Sequence, residues 1–155
     1  MAYLNLLASV PETDVERLRC DPDFRAKPTR ISGASHLLAY WIKSQPLGGL
    51  LNRALDGGER IRSDLSHVFR PPVYHPPHVV RELLDAIAPA WSKAVEQREA
   101  LMNGIPADED EWLTLEMRRL LLVFRHAAER SECIVSALDS PPEMVERLWA
   151  ERQAR

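Results

Sequence analysis

The run ECIVSAL, residues 132–138, limits the fold more than any other stretch of the chain. From Cys133 onward its apolar residues fall on both odd and even positions. Successive side chains of a strand point to opposite faces, so such a strand must be covered on both sides. A strand of that kind sits inside a sheet, and the remaining sequence has to supply helices to cover it.

Helical patterns are plentiful. From Asp108, Leu113, Met117, Leu120, Leu121, Phe124 and Ala128 recur at helical spacing behind the acidic run DEDE, which suits the positive end of a helix dipole. Asp108 and Glu111 have capping-box spacing. Leu122 and Val123 widen the apolar stripe so far that cover on more than one side is expected. Further helices are predicted from Thr13, with Glu16 as its capping partner, to about Cys20, and over ASHLLAYWIKS. Two more are predicted from Val79 to Ile87, ending at Pro89, and from Trp91 to Met102. Ser140, Pro141 and Glu143 then launch a C-terminal helix bearing Met144, Val145, Leu148 and Trp149. Strands are expected in the first ten residues, ended by Pro11, and from Glu59 to Arg62. Asp21 to Gly33 reads as a loop, and the pairs Gly48-Gly49 and Gly57-Gly58 read as turns. The expected fold class is α/β or α+β, a single helix-rich domain with a small mixed sheet covered by helices.

Composition narrows the function classes. At 155 residues, 45% hydrophobic and 28% charged, one domain is the default, with residues 139–155 as a helical extension packing on residues 1–138 or on a partner. The net charge of −3, with the arginines scattered over the chain, argues against a nucleic-acid or anionic-membrane partner. Cys20 and Cys133 lie far apart without C-x-x-C spacing, which supports neither a zinc site nor a disulfide framework. The apolar start MAYLNLLASV is too short to span a bilayer and lacks a basic leader region, so a soluble cytoplasmic protein is expected.

The stretch HVFRPPVYHPPH, residues 67–78, holds three of the five histidines. Pro77 suits the first turn of a helix, which puts His75 just before it and His78 inside it. Chelation by that pair would need a third ligand, so no metal site is expected. Asp64 and His67 lack a nucleophile marked by an elbow sequence, and the glycine pairs fit neither phosphate-binding fingerprint. No cofactor is expected. Cys133, inside a buried strand, should be an inert small hydrophobe.

The order LLNRALDGGERI, then DLSHVFRPPVYHPPHVV, then a long acidic-started helix and ECIVSAL resembles the YfbM-like family of uncharacterised bacterial proteins over roughly residues 1–138. Asp64, Leu65, Pro71, Tyr74, Pro77 and Val80 stand at places matching that family's D-L-G-Y-G-P-A-R-Y-L-T-P-E-E-V segment, and His36 matches a family histidine. The segment's glycines are Ser66 and Arg70 here, and its arginine is Val73, so an anion pocket built on that arginine is not expected. The resemblance implies a small α/β fold in a bacterial, intracellular setting and names no activity.

Two functions fit these residues. The first is a non-enzymatic binding domain of immunity or accessory type, with Met144, Leu148 and Trp149 of the C-terminal helix meeting a protein partner or a second copy in a homodimer. The second is a small-ligand site or enzyme that gathers His36, Asp64, Arg70, Tyr74 and His75, with Arg70 holding an anion and a histidine handling a proton.

Overall fold

A computed structural model describes residues 4–20, 29–31, 47–61, 72–97 and 107–139. Among these residues the elements are β1 (Leu4–Val10), α1 (Glu12–Cys20), β2 (Thr29–Ile31), α2 (Leu47–Asp56), β3 (Glu59–Arg60), β4 (Val73–His75), α3 (Pro77–Glu96), α4 (Ala107–Arg130) and β5 (Cys133–Asp139). The strands form one five-stranded sheet in the order β2-β1-β5-β4-β3. The ECIVSAL strand is therefore central, as its two apolar faces require.

Register decides which side chains share a face. Leu7 pairs with Ser136 and Ser9 with Ile134 across β1 and β5, while Val73 and His75 of β4 pair with the same two β5 residues. Leu7 and Ile134 join the main core with α2, α3 and α4, among them Leu51, Leu83, Ile87, Trp91, Met117, Leu120 and Phe124. The opposite face carries Ala8, Val10, Cys133 and Val135, which pack with Val15 and Leu18 of α1. Helices thus lie on both faces of a small sheet, and the fold is mixed α/β, as the β5 pattern demands.

The sheet differs from the mixed one expected, because every neighbouring pair is antiparallel. A single crossover helix leaves neighbouring strands parallel, whereas here two helices, α3 and α4, intervene between β4 and β5 and return the chain for antiparallel pairing. Residues 29–31, expected in a loop, add an edge strand because β1 offers them a free row of backbone groups. α1 begins at Glu12, with the amides of Asp14 and Val15 donating to Pro11 O, so Thr13 lies inside the first turn rather than capping it.

Pro89 does not end its helix: α3 runs unbroken from Pro77 to Glu96 with Pro89 inside. Proline forfeits one backbone hydrogen bond there, but Ile87, Trp91 and Ala94 on either side of it are buried in one core, and their burial outweighs that loss. Gly48-Gly49 is helical as well, in the first turn of α2, with Gly48 buried. α4 departs from expectation at Leu122: Val123 is buried, but Leu122 is 62% exposed, so the helix is covered on one side only at that position.

Gly57-Gly58 is a turn, and its second residue is held by close packing. A Cβ on Gly58 would stand 2.7 Å from Tyr74 O and 3.0 Å from the carbonyl carbon behind it, both backbone atoms of β4. Gly58→Ala must push β3 off β4, and it is expected to lower the unfolding free energy by about 1–3 kcal/mol, read from a urea transition at constant slope.

Candidate functional site

β4 carries two of the residues marked by the sequence, and it sends them to opposite faces of the sheet. His75 is 1% exposed and faces α2, where its Nε2–H donates to Ala54 O at 3.0 Å. A carbonyl can only accept, so this contact requires the Nε2–H tautomer. Beside it, Ser136 Oγ donates to Leu55 O at 2.8 Å. Ala54 and Leu55 lie in the last turn of α2, where carbonyls have lost their intrahelical partners. The sheet thus caps the helix with two side chains, one from β4 and one from β5. Burial, with a smaller contribution from the nearby Arg53 charge, holds the imidazole below its ordinary 6.5, and the bond to Ala54 only partly opposes this. His75 is a buried structural donor to the end of α2.

Tyr74 emerges on the other face, under α1. Its hydroxyl donates to Glu59 Oε2 at 2.7 Å and accepts from Arg19 Nη2 at 2.7 Å. Arg19 also lies 5.1 Å from the ring centroid and pairs with Glu16. The hydrogen bond to Glu59 is the largest influence raising the phenol above its ordinary value. Each polar group in this chain of four is already engaged by another, so the cluster ties α1 to the β3–β4 hairpin.

His36, Asp64 and Arg70 lie outside the described residues, as do His67 and the C-terminal Met144, Leu148 and Trp149. Of the five residues expected around a small ligand, the two described ones are not brought together. His78 is exposed in the first turn of α3, and His126 is exposed near the end of α4. Cys133 is fully buried, and burial, then Glu12 and Glu132, push its thiol up to about 11, as expected of an inert strand cysteine. Among the described residues no group of three or more His, Cys, Asp or Glu is placed to hold a metal ion. No described helix is long and apolar enough to cross a membrane.

The feature that sequence reading missed is the outer side of α4. Leu115 is 45% exposed and Leu122 62%, the latter more open than any other large hydrophobic residue described as exposed. Around them Arg118, Arg125 and His126 are exposed and Arg119 is half-buried. Arg119 Nη1 donates to the buried Glu116 Oε1 at 3.2 Å, and Arg130 Nε donates to Glu132 at 3.0 Å. Arg118 and Arg125 form no ion pair among the described residues. The signal was present in the sequence: two residues along a helix are separated by about 200° of rotation, so Leu122 and the core residue Phe124 cannot share a face. No protein-family model, curated protein or solved structure matches the chain. The likeness to the YfbM-like family therefore rests on the sequence motifs.

Proposed function

We propose that this protein, a member of the YfbM-like group by its motifs, acts in the bacterial cytoplasm by binding another protein, as an immunity- or accessory-type domain. The observation that carries this reading is the exposed leucine pair on α4. Large aliphatic side chains held open on a helix are what a partner surface offers, and the exposed Arg118 and Arg125 beside them suit a specific contact. The polar residues that suggested chemistry favour the same reading, because His75 caps α2 and Tyr74 joins Arg19 to Glu59. Met144, Leu148 and Trp149 offer a second apolar anchor by sequence, toward the same partner or a second copy.

The test is co-purification of the tagged full-length chain from its native host. Wild type should retain a defined protein through mild washing, and Leu115→Glu with Leu122→Glu should retain at least about tenfold less, the scale of a lost interface anchor. Equal recovery by both chains, or recovery by neither, contradicts the proposal.

A further inference from the structure

The outer face of α4 has a charge pattern as well as an apolar one. Leu115 and Leu122 are seven residues apart, and so are Arg118 and Arg125, and Arg119 and His126. Seven residues are two turns, about 10 Å along the axis, so these pairs form three parallel rows on one side of the helix. The leucines make the middle row, with Arg118 and Arg125 on one flank and Arg119 and His126 on the other. A repeat of seven is the spacing at which a second helix packs alongside at a shallow angle, seating its side chains between the rows. The Arg118 and Arg125 flank is cationic although the whole chain carries a net charge of −3, and the leucine row runs on to the exposed Glu129.

We infer that this face receives an acidic amphipathic helix of a partner protein, with apolar residues three and four apart against Leu115 and Leu122 and carboxylates along the flank that carries Arg118 and Arg125. The inference rests on the binding function proposed above and gives the partner its chemistry. Arg118 and Arg125 are the groups available to new carboxylates, since Arg119 already meets Glu116. A second copy of this chain is the wrong occupant, because two such faces would set arginine rows against each other, and like charges in contact disfavour pairing. A lipid surface is disfavoured by the overall negative charge and by an apolar row that, among the described residues, is two leucines long.

The test replaces Leu122 with p-benzoylphenylalanine in the full-length chain, irradiates living host cells and sequences the adduct by mass spectrometry. The expected adduct is a segment of another protein with Asp or Glu flanking apolar residues at helical spacing. Adding Arg118→Glu and Arg125→Glu should cut its yield at least about tenfold while the melting temperature holds. An adduct to a segment without those acids, or one indifferent to the charge reversal, overturns the inference and leaves the binding function standing. Crosslinking to a second copy or to lipid also overturns it, and absence of any protein adduct overturns both.

Discussion

Phe124→Ala is expected to lower the unfolding free energy by about 3–5 kcal/mol, with a fall in melting temperature of roughly 10 °C for a domain of this size. Phe124 is fully buried on the inner side of α4, in the cluster that includes Leu7 of β1, Ile134 of β5 and Leu83, Ile87, Met117 and Leu120 of the helices. Removing the ring takes dispersion contacts from both the sheet and the helical layer, and the residue sits at mid-helix, where the backbone has little freedom to close the space. Urea titration followed by circular dichroism measures the effect, and a midpoint that moves without a change of slope identifies it as a loss of native stability.

The second large effect belongs to His75. Its replacement by alanine is expected to cost about 3–4 kcal/mol, combining a buried, unsatisfied Ala54 carbonyl with the cavity left by the ring. His75→Gln can place an amide N–H where Nε2–H stands, so it should recover part of the loss, whereas a purely volumetric role would not distinguish the donor. The pH dependence has a definite sign. The folded-state value is lowered, so above about pH 6.5 both folded and unfolded chains hold a neutral ring and the group adds no slope. Below it the unfolded chain takes a proton that the folded chain refuses, and stability falls as the pH falls through the window beneath 6.5. One such proton contributes at most about 1.4 kcal/mol per pH unit. Urea transitions at pH 7.5 and 5.5 should show wild type losing more stability than His75→Gln, and equal losses would remove the ring from this role.

The fold was legible wherever a local pattern and the global packing agree. β1, the central β5 and the core side of α4 follow from apolar residues at strand or helical period. Local signals failed where distant contacts decide the outcome. Pro89 reads as a stop, yet Ile87 and Trp91 are held in one core on either side of it. Gly48-Gly49 reads as a turn, yet it lies in the first turn of α2, where Gly48 is buried beside Leu47 and Leu51 of the same helix. Thr29–Ile31 has no strong strand pattern and is recruited by an open edge of β1. The histidine-proline stretch invited a chemical reading because imidazole is the common ligand and base, but what His75 does depends on where the end of α2 lies, and no local spacing encodes that. Leu122 is legible too, because its angle on the helix sets it opposite Phe124, whereas its adjacency to Leu121 and Val123 suggests a wider core. Exposed leucines amid arginines then mark a surface that composition, with its negative total, conceals.

The proposed binding surface requires the outer face of α4 to be open in the folded chain, and the unfolding free energy of Leu122→Glu tests this most directly. Glutamate keeps helix propensity and comes within reach of Arg118, Arg119, Arg125 and His126 at spacings of three and four. The predicted result is a stability within about 0.5 kcal/mol of wild type, or slightly above it. A loss of about 3 kcal/mol or more would mean that the leucine is buried beneath the chain's own residues, and the proposed binding surface would not exist.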